Sequence, residues 1–583
     1  MKAWTIGQVA KLLGVKPHVL RYWESELPLL SPRKSRSGRR EYTANEVRLL
    51  MRFRHLLYER KFTLEGAKAR LWEELGSVPA DVAAKFAEVR SDLIEALMTA
   101  RGETHPVRDT QGSTHTPADR DSVSESLREQ YEGQGQEHLF AFWDERPAPM
   151  RARLLQDLEA LDPARLPELQ AAVLGGGAGL AVPAGIEPAP YEPRERSIRD
   201  EAARQAGEEE IRRGRSAFLT VAGGQGSRLG FSGPKGMFPV TPIRKLTLFA
   251  LFAEKLLAAR RRYGAAIPWL IMTGPQNHAA TMEYFESCEW FGLGRETVHL
   301  FPQGSLPSLS PDGRLVMGAD GGLFFNPDGH GGVIEGLRRA GLLDTMAEQG
   351  VQHLFYFQVD NPLVCVPDPV FLGAHCRAGS QISAKVVQKA YPEEKLGIIV
   401  RADGRPMVIE YSDLDQERMH ARDAEGRLVY GQGSIAINLL EVAFLGSPGL
   451  SLPWHLARKK AQTLNPVAGG TENQEREIVK LEKFVFDAIP LAERALFFET
   501  DRAEEFSPLK NRHGVDSIET CRLGQLEQAA RWLEQVGVQV PRDPEGLPRH
   551  ALEISPLFAL DARALAARRG LLKDVVDEDT LLV

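Results

Sequence analysis

The sequence predicts a multidomain protein whose largest part is an α/β domain with a Rossmann-like, mostly parallel mixed sheet. At 583 residues the chain is too long for a single hydrophobic core. From about residue 215 onward, short apolar runs alternate with helical patterns, as they do in sheets whose strands are joined by helices. A glycine-rich turn separates the first of these runs from the first long amphipathic segment.

The candidate strands are apolar runs bounded by turn residues, at 217–221, 269–272, 354–359 and 382–387. The segment 246–262 has the spacing of an amphipathic helix. We expect the large α/β domain at 201–505 and a helical part before it at 133–200. A small C-terminal module should follow at 506–583, and the sequence does not show its fold.

Charge is distributed unevenly along the chain, although the net charge is only −7. Residues 1–77 contain 16 Lys/Arg and 8 Asp/Glu, a net charge of +8, which leaves −15 for the rest. A basic module on an acidic chain indicates that residues 1–77 meet a polyanion.

The first module has the spacing of a helix-turn-helix. Thr5 can cap a first helix, Ala10 lets two helices cross, Gly14 makes the turn, and Leu20 locks the pair. In that geometry the second helix enters the DNA major groove with its N-terminal side chains foremost. Those side chains are Lys16, His18 and Arg21.

A cluster of basic residues around Ser37-Gly38 then predicts a hairpin or wing. The runs LRYWE at 20–24 and GRREY at 38–42 resemble the winged DNA-binding domain of MerR-type transcription regulators, over about residues 4–75. We therefore assign 1–77 to an all-α winged helix-turn-helix domain that binds duplex DNA. The resemblance implies DNA contacts by Arg21, Tyr22, Arg39 and Arg40; the alternative for each arginine is a solvated surface charge.

Apolar residues at 82, 86, 89, 93 and 96 recur at spacings of four and three, which is a short coiled-coil seam. By resemblance to MerR-type regulators, 78–101 is a dimerisation helix, which would make the protein a homodimer. The alternative is a helix packed on its own domain. We predict a disordered linker at 102–132, because residues 102–126 have almost no large apolar side chain to bury.

The glycine-rich turn spans 221–230 and is closed by Pro234-Lys235-Gly236. The dinucleotide pattern would need glycine in place of Leu229, and the Walker A pattern would need Ser or Thr after a Gly-Lys pair. What remains resembles the signature loop of nucleotidyltransferases that make UDP-sugars. The alternative is a flexible surface loop with incidental basic residues.

Further motifs follow in a fixed order: QGSLP at 303–307, PDGHGG at 327–332, VDN at 359–361, AKVV at 384–387, IEYS at 409–412, KLEKFVFD at 480–487 and EFSPLKN at 505–511. Together with the loop they resemble the eukaryotic-type UDP-sugar pyrophosphorylases, above all those specific for N-acetylglucosamine, over about 135–560. Taken alone, Asp360-Asn361 could equally be ordinary turn chemistry before Pro362.

The resemblance implies a role for each matching position. Nucleotide-binding residues would be Ala222, Gly223, Gly224, Gln303, Gly329 and Asp360. Catalytic residues that hold phosphates would be Arg228, Lys235 and Lys480. Residues that hold the sugar phosphate would be His330, Glu410, Ser434, Phe486 and Lys510. The resemblance also implies Mg²⁺ as cofactor, with Asp360 as its ligand.

The implied reaction joins UTP and a sugar 1-phosphate to give a UDP-sugar and pyrophosphate. We expect N-acetylglucosamine 1-phosphate as the sugar. His330 and Ser434 stand where enzymes for that sugar carry asparagine, so glucose or galactose 1-phosphate is the alternative. A second alternative is a catalytically silent regulator that senses nucleotide sugars.

The four cysteines are scattered without metal-type spacing, which favours a reducing, cytoplasmic location. No apolar run approaches the about 20 residues of a membrane span, and the first residues do not have a signal-peptide pattern. We therefore expect no membrane partner.

Overall fold

Residues 117–176, 185–197, 199–464 and 473–583 are described by the structure, a computed structural model, together with scattered residues between positions 4 and 54. The chain divides into two compact units, Met1–Gln111 and Gly112–Val583. The predicted helix at 78–101 lies outside the described residues. So do most of the predicted DNA contacts, namely Lys16, His18, Arg21, Tyr22 and Arg39.

The first unit contains a three-stranded antiparallel sheet of β1 (Trp4–Thr5), β2 (Arg33–Lys34) and β3 (Arg40–Tyr42). β2 and β3 form the predicted basic hairpin. β1 pairs with β3 where the sequence predicted only a helix cap, so the module is not purely helical. Leu20 is buried, as a residue that locks two helices should be.

The second unit begins with three helices, α1 (Pro117–Glu132), α2 (Ala148–Ala160) and α3 (Leu166–Leu174). α2 and α3 are the helices expected within 133–200. α1 corrects the prediction of a disordered linker over 102–132, because it occupies the second half of that range. Its last turn buries Tyr131, whose hydroxyl lies 3.0 Å from the carbonyl oxygens of Leu158 and Leu161.

The second unit contains the remaining strands. They are β4 (Glu187–Pro188), β5 (Ser216–Ala222), β6 (Trp269–Thr273), β7 (Val298–Pro302), β8 (Ser305–Pro307), β9 (Phe325–Pro327), β10 (His353–Gln358), β11 (Ile382–Gln388), β12 (Ile398–Ala402), β13 (Arg405–Ile409), β14 (Gln432–Glu441), β15 (His455–Leu464), β16 (Asn473–Glu482), β17 (Ala495–Glu499), β18 (Leu552–Ile554) and β19 (Thr580–Leu582). The four predicted strands are β5, β6, β10 and β11, each displaced by at most a residue at either end.

The helices that follow α3 mostly connect these strands. They are α4 (Arg194–Ser197), α5 (Glu201–Arg212), α6 (Leu248–Tyr263), α7 (His278–Ser287), α8 (Val333–Arg339), α9 (Leu342–Glu348), α10 (Pro369–Ala378), α11 (Gln416–His420), α12 (Val442–Gly446), α13 (Arg502–Glu505), α14 (Ile518–Gln535) and α15 (Ala562–Ala566). α6 is the helix predicted at 246–262. Thr247 caps its start by accepting from the N–H of Ala250, and Gly264 ends it with a φ of +68°.

Among the described residues, ten strands form the central sheet. β7, β6, β5 and β10 are parallel neighbours, whereas β14 runs antiparallel to β10, β11 and β12. The mixed α/β sheet is confirmed, but only the half from β7 to β10 is uniformly parallel. The other half contains a hairpin, because Asp403 and Gly404, both with positive φ, join β12 directly to β13.

The C-terminal module has its own small hydrophobic core, formed by α14, α15 and the parallel pair β18 and β19. α14 begins with a capping box between Ser517 and Thr520. Glu553 ties the module to the large domain, since its carboxylate lies 2.6 Å from Nε of Arg244. The fold that the sequence left open at 506–583 is therefore a helix packed against a short parallel ribbon.

No helix within the described parts of the chain is long and apolar enough to cross a lipid bilayer. Cys288, Cys365, Cys376 and Cys521 are free thiols.

Candidate active site

The glycine-rich turn leaves the carboxyl end of β5 at Ala222. A Cβ on Gly223 would lie 2.9 Å from Oε1 of Gln303 and 3.4 Å from the backbone nitrogen of Gly274, so a larger residue there would displace the Gln303 side chain. Gly224 is exposed, and a Cβ there would meet only Cε of Lys235, at 3.8 Å. The turn therefore presents bare backbone at the sheet edge, where N–H groups can approach phosphate oxygens.

Asn277 fixes the shape of this turn, a role that the sequence did not reveal. Its buried amide donates from Nδ2 to the carbonyl oxygens of Ala222 and Gly224, at 3.1 and 3.3 Å. Its Oδ1 accepts from the N–H of Gly274 at 2.7 Å. An asparagine before a helix looks like an ordinary turn residue in the sequence, so only the fold reveals its contacts with the loop.

Lys235 and Asp360 meet at the same edge of the sheet. β5 and β10 are parallel neighbours with Val221 opposite Gln358, which brings the segments after both strands side by side. Nζ of Lys235 lies 3.2 Å from Oδ2 of Asp360, and both side chains are 17% exposed. The pair is thus accessible to a ligand lying over the glycine turn.

Arg228 occupies the short 3-10 turn Ser227–Leu229 of the same loop, where its side chain is exposed. Within the described parts of the chain, no hydrogen bond or ion pair holds its guanidinium. Its predicted role on the phosphates stays a prediction.

Gln303 and Gly329 form the next side of the site. The N–H of Gln303 donates to the carbonyl of Thr273 at 2.7 Å, and its Nε2 donates to the carbonyl of Gly329 at 2.6 Å. Gly329 has a φ of +81°, and a Cβ there would lie 2.4 Å from the carbonyl oxygen of Lys483. Beside it, burial raises the pKa of the Asp328 carboxyl to about 6.

His330 lies in an aromatic corner made by the segment after β16. Its ring stacks on Phe484 with centroids 5.2 Å apart, and Phe486 lies at 5.8 Å. Nδ1 accepts from the N–H of Val485 at 3.2 Å. Burial, and then the charge of His455, lower the pKa of His330 to about 4. The ring is therefore neutral near pH 7 with its proton on Nε2, where it can donate.

A charged group not singled out from the sequence flanks this corner. Nε2 of His455 lies 2.7 Å from Oδ2 of the buried Asp487, and the ring contacts Phe484 with centroids 4.3 Å apart. Burial alone would lower the pKa of His455, but the hydrogen bond to Asp487 and the nearby carboxylates outweigh it and raise the pKa. Burial, and then Asp413, raise the pKa of Glu410.

Lys480 lies near the base of the hairpin of β15 and β16, bonded to Oε1 of Glu482 at 2.7 Å. Ala457 is paired with Lys480, and Lys459 with Ile478, so both lysines lie on one face of the hairpin. Nζ of Lys459 donates to Oδ1 of Asn326 at 2.7 Å. Burial, and then the charge of Lys480, lower the pKa of Lys459.

The last two predicted sugar-phosphate residues are less closely connected to this group. Ser434 lies in β14 opposite Val386 and is half-buried. Nζ of Lys510 lies 3.4 Å from Oδ2 of Asp516 and 5.9 Å from the ring centre of Phe506. The described contacts do not join either side chain to His330, so their places in the site stay predictions.

Two family models of known proteins match different parts of the chain. Residues 190–519 match the family model described as UTP–glucose-1-phosphate uridylyltransferase. Residues 4–73 match that of the MerR HTH family regulatory proteins.

Relatives cover most of the second unit. UDP-N-acetylglucosamine diphosphorylase 2 of Arabidopsis thaliana is 35% identical over 474 residues, which covers 76% of this chain and 92% of that protein. UDP-N-acetylglucosamine pyrophosphorylase of Saccharomyces cerevisiae is 34% identical over 432 residues, covering 70% and 90%. The crystal structure of the uridine diphosphate N-acetylglucosamine pyrophosphorylase from Trypanosoma brucei superposes with a TM-score of 0.65 at 25% identity, covering 81% and 99%. The chain therefore belongs to the UTP–glucose-1-phosphate uridylyltransferase family of nucleotidyltransferases, and it carries a MerR-type module at its N-terminus.

Proposed function

We propose that the second unit transfers the uridylyl group of UTP to N-acetylglucosamine 1-phosphate, giving UDP-N-acetylglucosamine and pyrophosphate. The observation that carries this proposal is the meeting of the Gly223-Gly224 turn, Lys235 and Asp360 at one sheet edge. The names of the Arabidopsis, yeast and Trypanosoma relatives support the choice of substrate.

The chemistry requires two polyanions to meet. An oxygen of the sugar phosphate forms a bond to the α-phosphorus of UTP, while the bond from that phosphorus to the bridging oxygen breaks. Pyrophosphate leaves with the electron pair. Because both substrates are negatively charged, positioning and charge neutralisation supply most of the acceleration. In this proposal Arg228, Lys235 and Lys480 hold phosphates, and the glycine turn lets backbone N–H groups approach them.

Mg²⁺ is part of the proposal, and the residues present are compatible with it. This ion is commonly held by one or two carboxylates together with substrate phosphates. Asp360 offers a partly exposed carboxylate beside the proposed triphosphate site, and the described residues contain no cluster of three or more metal-ligating side chains. When bound with UTP, the ion would neutralise charge on the phosphates.

The aromatic corner supports the proposed sugar. Phe484 and Phe486 provide an apolar wall that fits the methyl group of an acetamide, and the neutral His330 offers a donor at Nε2. Glu410 would accept from sugar hydroxyls, Ser434 would lie near the sugar, and Lys510 would hold its phosphate. Glucose and galactose 1-phosphate lack the acetamide, so they are the comparison substrates.

The test is release of pyrophosphate by the purified full chain with UTP, Mg²⁺ and a panel of sugar 1-phosphates. We expect turnover, with the highest kcat/KM for N-acetylglucosamine 1-phosphate. A higher value for glucose or galactose 1-phosphate would overturn the choice of sugar. Binding of a UDP-sugar without any turnover would overturn the enzymatic assignment and leave a nucleotide-sugar sensor.

We further propose that the first unit binds duplex DNA as a dimer, supported by the MerR family match and the net charge of +8 on residues 1–77. Two recognition helices related by a two-fold axis favour an inverted-repeat site. The four free thiols support a cytoplasmic location.

Titration of labelled duplexes with the full chain tests this second function. Affinity should fall steeply between about 50 and about 200 mM salt, because phosphate contacts release counterions. Arg21→Ala and Arg39→Ala should weaken binding without changing pyrophosphate release. Absence of binding to any duplex at low salt would leave a protein-interaction module instead.

A further inference from the structure

The AKVV run at 384–387 has no role in the proposed reaction, yet it contains a fully buried charge. Lys385 lies in β11, and its side chain is 0% exposed. Its Nζ donates to Oδ2 of Asp368 at 2.6 Å and to both carboxylate oxygens of Glu505, at 2.5 and 2.6 Å. Burial alone would lower the pKa of Lys385, but the two carboxylates raise it, so the ammonium stays charged.

Both carboxylates are also held from their other sides. Oδ1 of Asp368 caps α10 by accepting from the N–H groups of Val370 and Phe371. Oε1 of Glu505 accepts from the hydroxyl of Thr500 at 2.6 Å. Hydrogen bonds therefore hold the cluster of Lys385, Asp368 and Glu505, which we call the buried anchor, from several sides.

Glu505 also connects the buried anchor to the edge of the sheet where the glycine turn and Asp360 lie. Its backbone carbonyl accepts from Nδ2 of Asn361 at 2.7 Å, and Oδ1 of Asn361 accepts from the N–H of Ser507 at 3.1 Å. The N–H of Leu509 donates to the carbonyl of Asp360 at 2.8 Å. The segment that ends at Lys510 is thus fastened to Asp360 and Asn361 by hydrogen bonds that start at the buried anchor.

We propose that the buried anchor positions Lys510 for the phosphate of the sugar 1-phosphate, with Lys385 as a positioning residue that does not touch substrate. This inference rests on the proposed function. It explains why a lysine lies beneath the sheet edge, where apolar side chains of similar volume would pack without the need to pair a charge.

The test compares Lys385→Met and Glu505→Gln with the unmodified full chain in pyrophosphate-release kinetics. KM for the sugar 1-phosphate should rise about tenfold, whereas KM for UTP should stay within about twofold. Lys510→Ala should raise the sugar-phosphate KM in the unmodified chain but add little in the Lys385→Met background, since Lys510 is already displaced there.

A matched control separates positioning from loss of stability. Leu445→Ala opens the core on the other face of the sheet, where Ala384 and Val386 point, and it should lower Tm without changing the ratio of the two KM values. If Lys385→Met does not fold, Glu505→Gln and the Lys385→Met/Glu505→Gln pair decide the question. Unchanged sugar-phosphate KM, or full additivity with Lys510→Ala, would overturn the buried anchor. Absence of turnover by the unmodified chain would instead overturn the proposed function.

Discussion

The imidazole of His330 shows how its surroundings set the chemistry of one residue. It lies against Phe484 and Phe486, and its Nδ1 accepts from the backbone of Val485. Its pKa is lowered from 6.5 to about 4, so between these pH values the imidazole is protonated in the unfolded chain and neutral in the folded chain. Stability contributed by the neutral ring is therefore complete above pH 6.5 and is lost as pH falls toward 4.

We predict that His330→Asn makes the protein less sensitive to acid. Between pH 7 and pH 5 the unmodified chain should lose about 2 kcal/mol of unfolding free energy through this group alone. The variant should lack that loss, which urea unfolding of both proteins at the two pH values would measure. His513→Asn, at a side chain that is 72% exposed, is the matched control. Equal pH dependence of His330→Asn and the unmodified chain would contradict the prediction.

At the scale of elements, α5 and α10 pack with their backbones in contact. A Cβ on Gly373 would lie 1.7 Å from the carbonyl oxygen of Ala203, and one on Gly207 would lie 1.9 Å from that of Pro369. Side chains of any size would push the helices apart. Asp368 both caps α10 and belongs to the buried anchor, so the crossing and the buried anchor share the N-terminal end of α10.

We predict that Gly373→Ala destabilises the fold by about 1–3 kcal/mol or more, since added volume at a close-packed contact cannot be absorbed. Thermal unfolding measures the loss. Gly446→Ala is the matched control, because a Cβ added to that helical glycine would have no atom within 4 Å and alanine favours helix. A Tm for Gly373→Ala equal to that of Gly446→Ala would contradict the helix-crossing argument.

At the scale of the whole molecule, the question is whether nucleotide-sugar binding changes DNA binding. Residues 102–116 are Gly, Thr, Ser, Asp, Pro and other polar residues with Val107 as their one large aliphatic side chain, a composition that predicts a flexible connection. A ligand can shift DNA affinity only by as much as it favours one dimer arrangement over another. A flexible connection transmits such a preference poorly.

We predict that UTP and UDP-sugar change DNA affinity of the full chain by less than about tenfold, or about 1.4 kcal/mol. Titrating the duplex with and without saturating ligand measures the change. The Lys235→Ala variant, which should weaken UTP binding, provides the control for effects unrelated to the site. A hundredfold shift would show that the connection between the units is rigid or that the ligand acts on both.

Local sequence patterns determined much of this protein. The apolar runs of β5, β6, β10 and β11 and the cap at Thr247 reflect short-range physics, since strand burial and helix termination depend on neighbouring residues. The glycine turn could also be recognised from the sequence, because the dinucleotide-binding and Walker A patterns are each excluded by single residues. The order of the motifs along the chain indicates the family without any tertiary contact.

Only the tertiary structure decided which distant residues contact one another. Glu505 is 120 residues from Lys385, and Asn277 is 55 residues from Ala222, so no local pattern could pair them. It also placed the last turn of the helix α1, because Tyr131 is buried against residues about thirty positions later. Buried charges and amides gain their partners only when the chain folds. Each needs a partner because burying a polar group without one costs free energy.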